Sequence, residues 1–204
     1  QVGVTDDRRD QAVLDCHREP LEPRPAAASP DGRVGKLRLV GRRLHLRPAE
    51  LARTVQAAEE AGRAAGVRVF AHEHDAARFA DVPALFEKVV GELGGLDLVV
   101  YAAGLMPEVA RHEYDTAKDL DILAVNFAGL VAWGNAAAAL FGSQRSGAIV
   151  GLSSISGDRG RKGNPVYCTT KAAMNTYLEA LRNRLAEFDV HVCVLTRDGP
   201  LRQA

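Results

Sequence analysis

From residue 36 onward, short apolar runs alternate with segments whose apolar positions recur at helical spacing. KLRLVG (Lys36–Gly41) predicts a strand, and AELARTVQAAEEAGRAAG (49–66) a helix that ends on glycine. VRVFAH (67–72) predicts the next strand. DVPALFEKVVGELGG (81–95) then places Asp81 before an early proline, as helix starts do. LDLVVYAAG (96–104) predicts a buried strand running into a glycine turn. A long helix over 116–141, a strand GAIVGLSS (147–154), a helix over 165–186 and a last strand VHVCVL (190–195) complete the pattern. Strands apolar on both sides, separated by helices, predict an α/β fold. Its core is a doubly wound parallel sheet with helices on both faces. Such sheets place their sites beyond the C-terminal ends of the strands.

Residues 1–35 do not share the alternation. Pro20, Pro23, Pro25 and Pro30 crowd a charged stretch in which no strand or amphipathic helix can be drawn. The expected organisation is therefore an atypical N-terminal segment (1–35), a loop or disordered arm by composition, followed by one domain (36–204).

Composition narrows the class. The chain has 204 residues, 47% of them hydrophobic, enough for one domain with a real core. Lys+Arg and Asp+Glu number 26 each, so no net basic charge favours nucleic acid or a membrane surface. Apolar runs fall short of the ~20 residues that span a bilayer, and QVGVTDDRRDQ is no signal peptide. Cys16, Cys168 and Cys193 are odd in number and far apart, which suggests reduced thiols in a cytoplasmic protein. His72 and His74 flank Glu73 at a strand end and read as surface residues, so no metal site is expected.

The candidate chemistry follows the predicted strand ends in order. Tyr101-Ala102-Ala103-Gly104 closes one strand, Asn126 lies within the long helix, Ser153 and Ser154 close the next strand, and Tyr167 and Lys171 open the helix after it. Tyr167 lies 13 residues after Ser154 and 41 after Asn126. In this order and spacing the chain resembles the short-chain dehydrogenase/reductase family over about Lys36 to Leu195. That family carries an N-[NA]-A-G-like turn, an Asn in a helix, an S-S-x-x-G strand end and Y-x-x-x-K. Y-x-x-x-K alone is a weak signal; four elements in order on a βα alternation are a strong one.

Elementary chemistry explains the combination. Positions i and i+4 of a helix share a face, so Tyr167 and Lys171 can address one cleft. A free tyrosine, with a pKa of about 10, exchanges protons poorly at neutral pH. An adjacent ammonium favours the phenolate and is expected to lower that pKa. Asn164 and Pro165 suit the N-cap and first turn, placing Tyr167 where the helix dipole favours a negative oxygen. The resemblance implies a Rossmann-like fold, NADP(H) or NAD(H) as cofactor, and Tyr167 as proton donor or acceptor. It further implies that Ser154 holds the substrate oxygen, that Lys171 also holds the nicotinamide ribose and that Asn126 supports a water path. The implied substrate is a small carbonyl compound or alcohol, with no nucleic acid and no membrane span, in a homodimer or homotetramer built on the two long helices.

Cofactor choice has its own handle. Arg42 and Arg43 follow the strand KLRLVG. An acidic residue there would hold the ribose hydroxyls of NAD, whereas basic residues accommodate the 2′-phosphate of NADP. A pair of solvated arginines is the competing reading. Asp75 matches the family's acidic residue near the adenine, and Ala102, Ala103 and Gly104 would let the backbone approach the cofactor. GDRGRKGNPVY, between Ser154 and Tyr167, is similar to reductases related to the decaprenylphosphoryl-ribose 2-epimerase subunit, which reduces a keto-sugar lipid.

The pattern departs from the family at both ends. T-G-x-x-x-G-x-G, whose glycines seat the pyrophosphate on a helix N-terminus, should lie some 25 residues before Gly41-Arg42-Arg43. HREPLEPRPAAASPDGRVG stands there instead. After the last strand comes TRDGPLRQA, with no further strand and none of the substrate-covering helices. The fold is therefore expected to be incomplete at both ends. An NADP-preferring oxidoreductase is the leading expectation. Its rivals are a catalytically inactive homologue acting as a binding or assembly partner, and a defective or non-folding fragment.

Overall fold

The computed structural model describes residues 36–41 and 48–197. Arg42, Arg43, residues 1–35 and the stretch after Arg197 lie outside them, and with them the expectations placed on those positions. In chain order the elements are β1 (Lys36–Gly41), α1 (Pro48–Ala64), β2 (Val69–His74), α2 (Val82–Leu93) and β3 (Leu98–Tyr101). There follow α3 (Thr116–Leu123), a π-helical turn (Ala124–Ala128), α4 (Gly129–Gln144), β4 (Gly147–Ser154), α5 (Pro165–Leu185) and β5 (Val190–Arg197).

Every strand pairing among the described residues is parallel. β1 pairs with β2 from Lys36↔Val69 to Gly41↔His74. β3 pairs with β4 from Leu98↔Ala148 to Tyr101↔Gly151, and β4 with β5 from Gly147↔Val190 to Ser154↔Arg197. Among the described residues, β3 has no strand on its other side.

Side-chain alternation sorts the three-stranded sheet into two faces. Ile149, Val192, Val194 and Tyr101 point into the main core, where they meet Leu130, Trp133, Ala137 and Phe141 of α4 and Met174, Leu178 and Leu181 of α5. The opposite face carries Leu98 and Val100, both about half exposed.

Helix ends follow their local chemistry. Asp115 Oδ1 accepts from the N–H groups of Ala117 (3.0 Å) and Lys118 (3.1 Å), capping α3. Gly94 adopts the left-handed conformation (φ 74°) that closes α2.

The predicted single helix over 116–141 is interrupted by the π turn, which the apolar spacing does not reveal. The helical span Thr116–Gln144, π turn included, is long and apolar enough to cross a membrane by length and composition. Counting uninterrupted apolar runs misses this, because alanines and glycines dilute the polar positions. Here Ile122, Leu130, Trp133, Ala137 and Phe141 of that span are buried within the folded chain.

His74 departs from the surface reading. It is buried against the edge of Trp133, ring centroids 5.7 Å apart. Burial pulls its pKa down, against the opposing charges of Asp81 and Asp75. His72 is partly buried and lies 2.7 Å from Glu92 Oε2. The two side chains turn to different neighbours because residues two apart in a strand share a face but not a partner.

Candidate active site

The C-terminal ends of β2, β3 and β4 bring the sequence-predicted residues to one edge of the fold. Asp75 follows β2, Ala102 to Gly104 follow β3, and Ser154 ends β4. Tyr167 and Lys171 occupy the first two turns of α5. Asn164 caps that helix, its Oδ1 accepting from Tyr167 N at 3.3 Å, and Pro165 takes the first helical position. The cap side chain also donates through Nδ2 to Pro107 O (3.2 Å), which ties α5 to the loop after β3.

Asn126 is engaged at both ends of its amide. It is 0% exposed and sits in the π turn, where the extra residue in the helical repeat re-aims the side chain. Its Oδ1 accepts from Leu105 N (2.6 Å), and its Nδ2 donates to Leu105 O (2.9 Å) and Thr170 Oγ1 (3.2 Å). Thr170 Oγ1 donates in turn to Tyr167 O at 2.8 Å. One amide thus joins the loop beyond Gly104 to the first turn of α5. The Tyr101 hydroxyl donates to Val125 O in the same π turn. It fits there because position 129 is glycine: a Cβ would overlap that hydroxyl.

Lys171 is buried, 5% exposed, and its Nζ donates to Leu152 O at 2.6 Å. A Cβ placed on Gly104 would lie 3.7 Å from Asn126 Oδ1 and 3.9 Å from Lys171 Nζ, so these three residues converge. Burial lowers the Lys171 pKa to about 8. Its Nζ stands 5.7 Å from the centre of the Tyr167 ring. Behind it, Gly157 lets the loop after β4 press on α5, since a Cβ there would come within 2.9 Å of the Lys171 carbonyl carbon.

The tyrosine differs from expectation. Burial raises the Tyr167 pKa, and its hydrogen bond with Ser154 opposes that shift; Lys171 is not among the causes. Loss of solvent disfavours the phenolate and the ammonium alike, and the Lys171 nitrogen is held by Leu152 O. Ser154 Oγ also accepts from Ser156 N (3.1 Å). Ser153, read as the neighbour without a chemical role, donates to Asn175 Oδ1 at 2.5 Å on the core side. Thr170 and the Leu152 carbonyl were not singled out by the sequence. A threonine beside the motif lysine was their only signal.

The family model for short chain dehydrogenases matches residues 41–197. The chain belongs to this family. Among curated relatives, it is 31% identical to an uncharacterized oxidoreductase of Myxococcus xanthus (strain DK1622) over 138 residues, 68% of this chain and 54% of that protein. It is 30% identical to an uncharacterized oxidoreductase of Staphylococcus aureus (strain MRSA252) over 118 residues, 58% of this chain and 51% of that one. The chain spans about half the length of the curated relatives it matches. Among solved structures, NAD+-bound xylitol dehydrogenase superimposes with a TM-score of 0.65 at 23% identity, covering 69% of this chain and 55% of that one. A putative short-chain alcohol dehydrogenase from Sinorhizobium meliloti 1021 gives a TM-score of 0.65 at 25% identity, covering 76% and 58%. The parallel α/β fold of this chain is thereby shared with these solved structures.

Proposed function

We propose that this chain carries the acid–base half of an NADP-preferring carbonyl reductase, reducing a small carbonyl compound to a secondary alcohol. The observation that supports this most is the convergence of Gly104, Asn126 and Lys171 beside a buried Tyr167 that hydrogen-bonds Ser154.

The described residues fit the nicotinamide end of a dinucleotide. The Ala102–Gly104 turn presents small side chains, and a buried lysine nitrogen lies next to Gly104. They include no glycine-rich turn for the pyrophosphate. Lys171 would hold the ribose hydroxyls and Asp75 would face the adenine, while Arg42 and Arg43 are the proposed contacts to a 2′-phosphate. When bound, the nicotinamide supplies the hydride. The remaining work falls to side chains. Ser154 Oγ donates to the substrate oxygen and orients it toward Tyr167. Because its pKa is raised, Tyr167 is a neutral phenol at physiological pH and delivers its Oη proton as negative charge grows on that oxygen. Asn126 keeps the Leu105 backbone and α5 at fixed separation, so the lysine stays in register with the tyrosine.

Arg159, Arg161 and Lys162 are exposed on the loop between Ser154 and Tyr167. A substrate with an anionic group would meet them, and a reductase of phosphorylated ketones is the finer reading. Pairing of two copies through α4 and α5 also belongs to this proposal. The test is turnover of NADPH with a panel of neutral and phosphorylated ketones, with Tyr167→Phe alongside. Oxidation of NADPH that vanishes in the variant supports the reading; no turnover by a cooperatively melting chain that binds NADPH leaves an inactive homologue.

A further inference from the structure

A π turn inserts one residue into a helical repeat, and the insertion moves a backbone donor off its usual acceptor. In an unbroken α-helix the Gly129 N–H would bond the carbonyl of Val125, four residues back. Here it bonds Ala124 O, five residues back. Val125 is 1% exposed, so water is no ready substitute for the displaced donor. A buried carbonyl left unmet is costly. The group that answers it comes from outside the helix: the Tyr101 hydroxyl donates to Val125 O.

Tyr101 is the last residue of β3, 6% exposed and part of the main core. Burial raises its pKa, so the hydroxyl keeps its proton and remains a donor. Where the family pattern N-[NA]-A-G opens on asparagine, this chain has Tyr101, whose ring carries the hydroxyl out to the turn. Gly129 leaves room for that oxygen, and a Cβ there would also come within 2.9 Å of Ala76 O, in the loop after β2. Across the sheet Tyr101 pairs with Gly151. The next residue of β4 is Leu152, whose carbonyl holds Lys171 Nζ. The residue after Val125 is Asn126, which fixes Leu105 and Thr170. One hydroxyl thus ties the turn that aims Asn126 to the level of the sheet that holds Lys171.

We propose that Tyr101 is a positioning residue: through Val125 O it holds the π turn in the register that sets Asn126 against Leu105 and Thr170, and so fixes Asn126 relative to Lys171. Its effect on rate rests on the reductase reading; its effect on Asn126 does not.

The test is Tyr101→Phe in the full chain, which keeps the ring and removes the hydroxyl. NMR of the Asn126 side-chain amide reads its exchange with solvent and needs no turnover. Exchange there and at the backbone amides of Ala124–Ala128 should speed up about tenfold, the scale of one unmet buried carbonyl. Tyr177→Phe is the matched control. The Tyr177 hydroxyl also lies over a glycine of α4, 2.9 Å from where a Cβ on Gly134 would stand, but it bonds Asn135 Oδ1 at 3.0 Å, beyond the π turn. Its loss should leave Asn126 exchanging as in the parent. In NADPH-dependent ketone reduction, Tyr101→Phe should lower kcat about tenfold and hold the ketone KM within about twofold. Parent-like exchange at Asn126 would overturn the proposal, as would equal acceleration in Tyr177→Phe. Faster exchange with an unchanged kcat would overturn it too, since the register of the turn would then not matter to the reaction. Uniform acceleration across α4 and β4 would mark a general loss of stability and no positioning role. A parent that reduces no ketone sinks the reductase reading, and the exchange comparison alone then decides whether Tyr101 holds Asn126.

Discussion

The two sides of the cleft are built in opposite ways. On the lysine side, Asn126, Thr170 and Lys171 are buried, and each is hydrogen-bonded inside the chain, mostly to backbone at Leu105, Tyr167 and Leu152. On the hydroxyl side, Tyr167 and Ser154 share a bond with each other, and the loop from Asp158 to Gly163 is exposed. The first arrangement fixes positions; the second leaves donors able to turn toward a substrate. Stability should therefore respond to changes on the lysine side and chemistry to changes on the hydroxyl side.

The largest expected effect lies on the hydroxyl side. Tyr167→Phe removes one oxygen and keeps the packing of a buried ring, so turnover should fall about 10²- to 10⁴-fold, the usual range for a positioned acid. The thermal midpoint should stay close to that of the parent. A comparable loss of midpoint and activity would mean the tyrosine is structural and the division between the two sides is wrong.

Asn126→Leu tests the other side. It strips Leu105 N–H and C=O of their partner in a fully buried place, and each unmet group costs ~1–3 kcal/mol. The sum should reach about 3 kcal/mol and lower the urea midpoint with an unchanged slope. A change well under 1 kcal/mol would show that the π turn relaxes and that this side is less fixed than its hydrogen bonds suggest.

Lys171 allows the comparison to be read by pH. Its folded pKa, about 8, lies below the ordinary 10.5, so between these values the unfolded chain binds more protons and stability rises with pH. The rise is worth about 3 kcal/mol in all. Tyr167 has the opposite sign: its pKa is raised above 10, so its contribution is kept below pH 10 and lost as the pH climbs further. Between pH 8 and 10 the lysine contributes and the tyrosine does not. Lys171→Met should flatten that segment of the stability profile measured by urea melts, and a profile with the parent's slope would assign it to another group.

How far the sequence could reach follows from the same division. The strand KLRLVG and the strand GAIVGLSS were legible to the residue, because apolar runs bounded by glycine or serine leave little choice of register. The order of Asn126, Ser154, Tyr167 and Lys171 along the alternation was enough to place them together. The π turn was not legible: it adds one residue to a helical repeat without altering which residues are apolar. Nor was the direction of the Tyr167 shift. Motif spacing shows that a lysine is near, but not that its nitrogen bonds Leu152 O and that burial raises the tyrosine's pKa. The open Leu98/Val100 face was hidden for a related reason, since an apolar strand reads the same whether one face is covered or two.

Thr170→Val should have the smallest effect and separate the sides most finely. The threonine hydroxyl donates to Tyr167 O and accepts from Asn126 Nδ2, so it is the link between the fixed network and the turn that holds the acid. Valine keeps the shape. Asn126 Nδ2 retains Leu105 O, and Tyr167 O, inside α5, retains the helical N–H four residues on, so neither neighbour is orphaned. The cost should be about 1 kcal/mol in stability, with turnover reduced less than tenfold. In a double-mutant cycle with Asn126→Leu the two losses should fall short of additive by 0.5 kcal/mol or more, on the order expected of residues in one network. Additive losses would mean that Asn126 acts on Leu105 alone. The position of Tyr167 would then rest on its N-cap, and the hydroxyl side would be independent of the lysine side.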